Sequence, residues 1–557
     1  MVTKVLQNCY AKTMKPMQVK ELRQRIHGEI TDNKDARNYF ATDGSVFTIT
    51  PSAVIYPRTE LDVQHAVTYA AEEADKKGKK FSLVARGKGT DQAGAALGDG
   101  AMVVFPAHMH HIGEITKDTV TVQPGVIFGT LQKVLHSHGR FLPPYPSSID
   151  FATLGGAVAN NTCGEMTYKY GSTADWVKSL RVVLDDGSVI TTRRLSKREL
   201  NRKKGLMTRE GDIYRGIDGL LQDNAALIKK SKINTSKNSA GYRLGAIKGK
   251  DGSFDLSQLF VGSQGTLGIV SEATLKTAHY ERHTTLVVGY FDDLSKVGEA
   301  VLKIQKHKPA AMEIVDYYLL DFLQKNQPET LEGLLPEGEL PKAIVLVEFD
   351  NKSHLRQRML SGRTEKVLKK LAQSQLTTTN PRTEHRLWAI RHSAAAVIWM
   401  NNGPKKALPI IEDGCVPVEK LPEFLEGVYK MLKKHKLEIA VWGHAGDANF
   451  HMQPFMDLSK AKDRKQVFEV MDEFYNMVIK MGGTTAGEHN DGLLRAPYLE
   501  KLYGKEMYDL FKEVKKICDP KEIFNPRIKL DVKKKDLEPL LRHEYSMEHL
   551  YDHMPRT

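Results

Sequence analysis

The chain has 557 residues, a hydrophobic fraction of 41% and a net charge of +13, which together indicate a globular protein of two or three domains. No apolar run approaches the ~18 residues that a membrane span requires, and the charged N-terminus lacks the apolar core of a signal peptide. The four cysteines are scattered singly, so neither a thiolate zinc site nor an iron–sulfur cluster is predicted. We therefore expect a reduced, cytoplasmic protein.

Residues 1–45 are predicted to form a helical arm ahead of the first domain. From Val54 the pattern becomes strand, helix, strand, and the helix carries apolar residues at a 3.6-residue period. The second strand ends in a glycine-rich turn with two cations, Arg86-Gly87-Lys88-Gly89-Thr90. Such a turn frees backbone N–H groups to bind an anion. It is not a Walker loop, because no GKS or GKT follows at the required spacing.

The segment Leu142–Gly171 is the most distinctive stretch of the chain. Its middle, Phe151–Gly164, carries no charged residue and consists largely of Gly, Ala, Thr and Asn. These residues let a backbone approach a flat ligand closely and offer short donors and acceptors. Tight packing of a small-residue helix on its own sheet explains the composition equally well. A second glycine turn, Gly262–Gly268, precedes a strand that begins at Ile269.

A basic run at 193–204 holds seven of the Lys and Arg residues against one acid, Glu199. Such runs are most often solvated loops. This one contains no aromatic residue on which bases could stack, so we expect no nucleic-acid role. Peripheral contact of this loop with the inner face of an anionic membrane stays open.

From about residue 281 the apolar runs TTLVVGYF and KAIVLVEF flank helical segments, which predicts an antiparallel sheet with helices on one side. Arg391 follows Trp388 by three residues, so both lie on one face of a predicted helix. An arginine there could clamp a substrate carboxylate or form a surface ion pair. Lys405 and Lys406 are further candidates for the carboxylate, and nothing in the sequence chooses between them.

The richest group of polar residues lies in two glycine-rich blocks, 441–455 and 485–492. His444 and His451 flank a turn between two strand-like runs, and a hairpin would bring them together. Glu488 and His489 stand in the second block. Two histidines and one carboxylate form a ligand set for Zn²⁺, Mn²⁺, Fe²⁺ or Co²⁺, although a single histidine is usually structural.

Three of these blocks, ARGKGT, YPSSIDFATLGGAVANNTCGEMTYKYG and VGSQGTLGIVSEA, resemble the FAD-binding domain of the vanillyl-alcohol-oxidase/PCMH flavoprotein family. Within it, the chain is most similar to the D-lactate, glycolate and D-2-hydroxyglutarate dehydrogenases. The resemblance implies an α+β protein with a PCMH-type FAD-binding domain (46–280), a ferredoxin-like α+β cap that binds substrate (281–510), and a C-terminal helical segment that returns to the FAD domain (511–557).

The resemblance also implies non-covalent FAD, because the phosphate turn lacks the histidine of covalently flavinylated relatives. It places the turn Arg86–Thr90 at the phosphates. The residues expected along FAD are Pro144, Thr153, Leu154, Gly155, Gly156, Asn160, Tyr170, Gly171, Gly262, Thr266, Gly268 and Ile269. Two positions depart from the family pattern: Gln264 replaces the usual Glu, and Asn490 replaces the usual Gly. A third departure is that no Gly follows Pro526, which affects contacts near Lys529.

For the reaction, the resemblance implies His444, His451 and Glu488 as ligands of a divalent metal, with Zn²⁺ expected. His489 would be the general base, and Arg391 would bind the substrate carboxylate. Arg495 would contact substrate or hold its loop. The implied function is FAD-dependent oxidation of a D-2-hydroxy acid to the 2-oxo acid.

The block EHNDGLLRAPYLEKLYG is most similar to relatives fused to an iron–sulfur module, but no clustered cysteines follow it here. We therefore expect a separate electron acceptor: a quinone, a cytochrome or an iron–sulfur protein. Two alternatives remain, a non-redox flavin transferase of the alkylglycerone-phosphate-synthase type and a non-catalytic flavin-binding subunit of an oxidase complex. The His–His–Glu set argues against both.

Overall fold

A computed structural model describes residues 16–76, 81–393 and 403–546 of the chain. The mixed α+β fold predicted from the sequence is confirmed. The strands are β1 Glu29–Thr31, β2 Ala53–Tyr56, β3 Leu83–Arg86, β4 Ala101–Val104, β5 Ile112–Ile115, β6 Thr119–Val122, β7 Arg140–Phe141, β8 Val177–Val183, β9 Val189–Leu195, β10 Phe254–Asp255, β11 Ile269–Lys276, β12 Ala278–His279, β13 Thr285–Phe291, β14 Ala311–Asp316, β15 Ala343–Phe349, β16 Ser374–Thr378, β17 Lys406–Ala407, β18 Gly414–Cys415, β19 Ile439–His444 and β20 Asn449–Met456.

The helices are referred to by their bounds. The α-helices are Pro16–Arg23, Lys34–Tyr39, Glu60–Asp75, Phe128–Ser137, Leu154–Asn160, Thr167–Tyr170, Thr173–Trp176, Lys197–Lys204, Arg209–Asp223, Ala225–Lys230, Ser257–Phe260, Leu294–Ile304, Tyr317–Asn326, His354–Leu371, Pro381–His392, Leu421–His435, Ala461–Lys480, Leu499–Tyr503, Lys505–Cys518 and Lys534–Leu537. Short 3₁₀ turns lie at Leu244–Ala246, Gln305–His307, Pro328–Thr330, Val418–Lys420, Ala445–Asp447, Ala496–Tyr498 and Glu538–Leu540. No described helix is long and apolar enough to cross a membrane.

Two sheets form the first half of the chain. The smaller has the order β1-β2-β4-β3, with β2, β4 and β3 parallel and β1 antiparallel at the edge. The larger is antiparallel with the order β10-β9-β8-β11-β6-β5. The helix Glu60–Asp75 packs between them through Val63 and Val67, which share one core with Val183 and Ile269. The apolar residues of this helix therefore face two sheets rather than one.

The second half is built on one antiparallel sheet in the order β16-β13-β15-β14-β19-β20-β17, with β18 beside β20. The expectation of helices on one side only is wrong. The helices Leu294–Ile304, His354–Leu371, Leu421–His435 and Ala461–Lys480 cover one face, and Tyr317–Asn326 and Pro381–His392 cover the other. The reason lies in the strands: every residue of β13 and of β14 is buried, which is the pattern of a sheet covered on both faces.

Two local expectations also differ from the structure. The arm is not wholly helical, because β1 pairs with β2 and extends the first sheet; residues 1–15 of the arm lie outside the described residues. The basic run is not a loop. It comprises the end of β9 and the helix Lys197–Lys204, whose first turn is closed by a reciprocal capping box between Ser196 and Glu199.

The C-terminal segment contacts the first sheet. Leu83 N donates to Ile523 O at 2.7 Å, and Asn525 N donates to Leu83 O at 2.9 Å, so this segment runs along β3. The two sheet-based halves thus enclose a cavity between the turn after β3, the segment 146–163 and the hairpin β19–β20. The domain boundaries at 45, 280 and 510 stay a prediction.

Candidate functional site

A cavity of about 300 Å³ lies where the two halves meet. Its first wall comes from the cradle, by which we mean the turn Arg86–Thr90, the segment 146–163 and the turn Gly262–Gly268. Its second wall comes from the cap sheet and its loops and is formed by Arg391, His392, Trp442, His451, Gln453, Glu488 and His489. The small-residue stretch and the polar blocks therefore face one another across one space.

The cradle glycines serve two purposes. A Cβ on Gly155 would lie 2.6 Å from Pro124 Cβ, and one on Gly87 would collide with the hydroxyl of Thr153, so these glycines allow the chain to pack on itself. By contrast, a Cβ on Gly156 would meet only Thr153 Oγ1, at 3.2 Å, and one on Gly265 only Ala85, at 3.6 Å. Side chains there would fill the cavity wall. Close packing and a ligand cradle thus coexist in one segment, and the cradle fits a flat cofactor.

The residues predicted to bind FAD divide into two groups. Those that line the cavity are Arg86, Gly87, Lys88, Gly89, Thr90, Thr153, Gly155, Gly156, Asn160 and Gly268. Those outside its lining are Pro144, Leu154, Tyr170, Gly171, Gly262, Thr266 and Ile269. Tyr170, for example, lies at the junction with the cap sheet, where its hydroxyl donates to Asp350 Oδ2 at 2.5 Å.

Arg86 has a structural task in the phosphate turn. Its guanidinium donates to Ala96 O at 3.0 Å and to Thr42 O at 2.7 Å, and it lies over the ring of Phe40. These contacts close the turn around Gly89, whose φ of +75° requires glycine-like freedom. Both terminal nitrogens of Arg86 are thus used within the chain, and its Nε is buried without a hydrogen-bond partner among the described residues.

The three predicted metal ligands converge within the cap. Glu488 Oε1 lies 3.1 Å from His444 Nε2 and 2.9 Å from His451 Nε2. The hairpin β19–β20 brings the two histidines together, as its sequence predicts, with Trp442 opposite His451. Two ligands of one tetrahedral Zn²⁺, with bonds of about 2.1 Å, lie roughly 3.4 Å apart. The three atoms are therefore spaced closely enough to share one ion.

Each histidine of this triad is oriented by a carboxylate on its other nitrogen. His444 Nδ1 lies 2.7 Å from Glu313 Oε1, and His451 Nδ1 lies 3.2 Å from Glu412 Oε2. Such an outer carboxylate holds the proton on Nδ1 and turns the Nε2 lone pair toward a metal. The donor set and its outer partners therefore fit a divalent metal.

Three buried cations neutralise these carboxylates. Arg391 Nε donates to Glu313 Oε2 at 2.8 Å, and Arg495 pairs with Glu412. Lys237, which comes from the first half of the chain, donates to Glu488 Oε2 at 3.0 Å. Buried charge is costly unless it is paired, and each of the three carboxylates around the triad has a cation beside it.

The electrostatics differ between the two histidines. Burial alone would lower the pKa of His444, but the carboxylates of Glu313 and Glu488 raise it to about 9. Burial prevails at His451 and lowers its pKa to about 4. The charges of Lys237 and His444 hold the pKa of Glu488 well below its ordinary value in spite of burial. At neutral pH His451 is thus a neutral donor and Glu488 an anionic one, whereas His444 holds a second proton that a metal would have to displace from Nε2.

His489, the predicted base, lies beside the triad and lines the cavity. Its Nδ1 lies 2.6 Å from Glu412 Oε2, and its Nε2 lies 3.6 Å from Glu488 Oε1. Its backbone N–H donates to Asp413 Oδ2 at 2.7 Å. With Nδ1 facing a carboxylate, we assign the proton to Nδ1, which leaves Nε2 as an acceptor.

Other predicted residues lie away from the cavity or only border it. Lys405 lies 3.8 Å from Glu438, and neither it nor Lys406 lines the cavity. Arg495 is fully buried behind Glu412. Lys529 is also fully buried and contacts Asp491 at 2.8 Å, so the departure after Pro526 does not remove its contact with the site loop.

Sequence reasoning missed several residues that complete the site. Glu313 interrupts the apolar run of β14, and a lone charge in such a run signals a buried partner. Glu412 and Asp413 precede Gly414 in a loop that carries no recognisable motif. For Lys237, which joins the site from a segment some two hundred residues earlier, the sequence offers no signal.

Comparisons with known proteins show the family to which the chain belongs. A family model described as "FAD binding domain" matches residues 51–193, and one described as "FAD linked oxidases, C-terminal domain" matches residues 280–528. The glycolate oxidase subunit GlcD of Bacillus subtilis is 30% identical over 484 residues, which cover 86% of this chain and 88% of that protein. A D-lactate dehydrogenase of Archaeoglobus fulgidus is 25% identical over 85% of this chain and 90% of its own.

A D-2-hydroxyglutarate dehydrogenase of Haemophilus influenzae is 28% identical over 520 residues, which cover 90% of this chain but 50% of that protein. The chain thus spans about half the length of such relatives. Among solved structures, 4-ethylphenol oxidase from Gulosibacter chungangensis superposes with a TM-score of 0.67 over 94% of this chain and 99% of that one, at 17% identity. An alkyldihydroxyacetonephosphate synthase superposes with a TM-score of 0.63 over 93% of this chain and 86% of its own, also at 17% identity. These two likenesses show the fold alone.

Proposed function

This chain belongs to the FAD-linked oxidase family, and we propose that it is an FAD-dependent dehydrogenase that oxidises a D-2-hydroxy acid of the D-lactate, D-2-hydroxyglutarate or glycolate class to the 2-oxo acid. The observation that carries the proposal is the triad His444, His451 and Glu488 at the end of the cavity that the cradle lines. Because the fold is shared with a transferase, the choice of chemistry rests on this triad and on Arg391 beside it.

Arg391 is placed to bind the substrate carboxylate. It lines the cavity and is almost wholly buried, and its Nε is occupied by Glu313. Its Nη2 is buried without a hydrogen-bond partner among the described residues. A buried donor without a partner is costly, and a carboxylate in the cavity would satisfy it. Glu313 also contacts His444, so one carboxylate fixes both the anion-binding group and a triad member.

His489 is placed to take the proton of the 2-hydroxyl. His489 lines the cavity, and its Nε2 lies 3.6 Å from Glu488 Oε1, while Glu412 holds Nδ1 and supports the positive charge that the ring gains. Arg495 forms an ion pair with Glu412 from the other side. A base oriented by a carboxylate in this way typically contributes 10²- to 10⁴-fold to a rate.

The cradle would hold FAD non-covalently, with the phosphates at the turn Arg86–Thr90 and the ring system near Gly156 and Gly265. When bound, FAD supplies a two-electron acceptor for the hydride that leaves C2 of the substrate. The triad would hold a divalent metal, with Zn²⁺ expected, and such an ion supplies Lewis-acid polarisation of a hydroxyl. The residues around the cavity orient the substrate between these groups and exclude water.

A separate acceptor would then receive the electrons, as expected from the sequence: a quinone, a cytochrome or an iron–sulfur protein. We keep the basic run 193–204 as a proposed surface for peripheral membrane contact at the cytoplasmic face. Its charge is partly neutralised within the chain, because four of its seven cations pair with carboxylates: Arg193 with Glu199, Arg194 with Asp251, Lys203 with Glu210 and Lys204 with Asp218. We expect no nucleic-acid partner.

The variant His489→Ala tests the role of the base. We expect it to retain FAD and metal and to lose roughly 10²- to 10⁴-fold in the rate of flavin reduction by a 2-hydroxy acid. His385→Ala, an exposed position on the helix Pro381–His392, is the matched control and should reduce its flavin at the wild-type rate. Full turnover by His489→Ala with both groups bound would refute this role.

A further inference from the structure

Asn490 follows His489 directly and occupies an unusual position. It is fully buried, and its φ of +64° places it in the left-handed region that asparagine tolerates better than other side chains. Its side-chain Nδ2 donates to Asn160 O at 3.1 Å and to Gly262 O at 2.9 Å. These two carbonyls belong to different segments of the cradle: one ends the helix Leu154–Asn160, and the other begins the second glycine turn.

The remaining polar atoms of Asn490 also have hydrogen-bond partners. Its Oδ1 accepts from Asp491 N at 2.8 Å and from Lys529 Nζ. Its backbone N–H donates to Ser239 Oγ at 3.0 Å, and its carbonyl accepts from Arg495 Nη1 at 2.7 Å. Both side-chain polar atoms and both backbone ones are therefore satisfied, each by a partner that is itself part of the folded scaffold.

The hydrogen bonds of Asn490 join the two halves of the site. Glu488 and His489 belong to the cap-side loop, whereas Asn160 and Gly262 belong to the cradle. The Asn490 amide lies one residue from His489 and ties the loop directly to both of these cradle segments. Gln264 adds a neighbouring tether, since its Oε1 accepts from Gly492 N at 2.9 Å and its Nε2 donates to Asn160 Oδ1 at 3.0 Å.

We propose that Asn490 is a positioning residue, which sets the distance of His489 and Glu488 from the cradle by binding the Asn160 and Gly262 carbonyls. The inference rests on the proposed function for the kinetic effect it predicts, but the tether itself is independent of the substrate. Its role is to keep His489, the proposed base, and Glu488, the proposed metal ligand, at a fixed distance from the cradle.

The chain offers a matched control in Asn525, whose amide binds the carbonyls of two cavity-lining residues but forms no hydrogen bond with the loop 485–493 among the described residues. Asn525 is also buried and also has a positive φ, +39°. Its Nδ2 likewise donates to two carbonyls, Ala95 O and Gln264 O, each at 2.9 Å. It lies in the C-terminal segment and is not adjacent to His489 or to the triad.

The test compares Asn490→Gly with Asn525→Gly in the full-length, FAD-loaded protein. Glycine accepts both backbone conformations, and each variant loses an amide that binds two carbonyls. Asn490→Gly also loses the oxygen that accepts from Asp491 N and Lys529 Nζ. We expect Asn490→Gly to retain FAD, to exchange the backbone amides of 485–493 faster in hydrogen–deuterium exchange, and to lose roughly 10- to 100-fold in the rate constant of flavin reduction with unchanged KM. Asn525→Gly should show neither change at the loop.

A third variant, Asn490→Asp, separates the two ends of the side chain. It keeps the Oδ1 contact with Lys529 but cannot donate to the cradle carbonyls, so we expect it to be at least as slow as Asn490→Gly. Wild-type flavin reduction by Asn490→Asp or Asn490→Gly would overturn the proposal, as would equal losses in the Asn525→Gly control. If no 2-hydroxy acid reduces the flavin of the wild-type protein, the proposed function fails separately. Unchanged exchange of 485–493 in Asn490→Gly would then still refute the tether.

Discussion

Replacing Arg391 with lysine tests the substrate-binding end of the site. Lysine keeps a positive charge near Glu313 but loses the planar fork, whose Nη2 is buried without a hydrogen-bond partner among the described residues. One hydrogen bond to a charged group contributes about 1.5–3 kcal/mol. We therefore expect KM for the 2-hydroxy acid to rise roughly 10- to 150-fold, from the conversion of 1.4 kcal/mol per tenfold.

Two further variants separate binding from folding. Arg391→Met leaves the buried carboxylate of Glu313 with His444 as its remaining cationic partner, so we expect a loss of up to about 3–5 kcal/mol in the free energy of unfolding. Arg386→Lys is the matched control, since Arg386 lies on the same helix, is exposed and does not line the cavity.

The assay is steady-state kinetics over a range of 2-hydroxy acid concentrations, with urea unfolding of each variant alongside. We expect a raised KM in Arg391→Lys, with the free energy of unfolding near that of wild type, and no change in Arg386→Lys. An unchanged KM in Arg391→Lys, or an equal rise in the control, would show that Arg391 does not bind the substrate carboxylate.

Two other predictions address the metal and the pH dependence of stability. Glu488→Gln should retain FAD but lower the affinity for a divalent metal by at least about 100-fold, because it removes a ligand rather than an outer partner. Metal analysis after dialysis checks this against the control Glu469→Gln, an exposed position on the helix Ala461–Lys480. Equal metal content in the two variants would contradict the prediction. Burial raises the pKa of Glu348 to about 8, while the unfolded carboxyl titrates near its ordinary 4.5. The folded protein therefore holds a proton that the unfolded chain has lost, and the free energy of unfolding falls as pH rises through this interval. Glu348→Gln, which keeps an acceptor for Trp388 Nε1, should lose less stability than wild type in urea titrations between about pH 5 and pH 8, and parallel curves would refute the assignment.

Ten of the seventeen residues predicted to bind FAD line the cavity, and the signals that identified their segments are local. A glycine turn after a buried strand and the run Phe151–Gly164 are contiguous in the chain, and their composition is unusual whatever surrounds them. The hairpin that joins His444 and His451 is local in the same sense, since Gly446 and Asp447 separate two apolar runs. Family membership was likewise predicted from contiguous blocks and is confirmed by the comparisons.

Long-range features were not predictable in this way. Lys237 reaches Glu488 across 251 residues of sequence, and Arg391 reaches Glu313 across 78. Neither partner can be identified from spacing, because buried ion pairs depend on the packing of whole sheets. The apolar strands of the cap allowed helices on one face or on both, and only their complete burial decides the matter.

The departure at position 490 illustrates a related limit. From the sequence, an asparagine in place of glycine suggests only an altered backbone. In the structure the backbone keeps the left-handed conformation that glycine would favour, and the added amide binds two carbonyls of the cradle. A substitution that looks like a loss of freedom thus provides a new contact between the two halves of the site.

The central claim is tested most directly by anaerobic reduction of the FAD-loaded protein, followed as loss of the oxidised flavin absorbance. D-lactate, D-2-hydroxyglutarate and glycolate are each added with and without prior treatment by a chelator, and L-lactate serves as the stereochemical control. The account predicts rapid bleaching by at least one of the first three acids, little bleaching by L-lactate, and loss of the reaction on chelation with recovery when metal is restored. Absence of bleaching with every 2-hydroxy acid would contradict the proposed function, and full bleaching after verified metal removal would contradict the role of His444, His451 and Glu488.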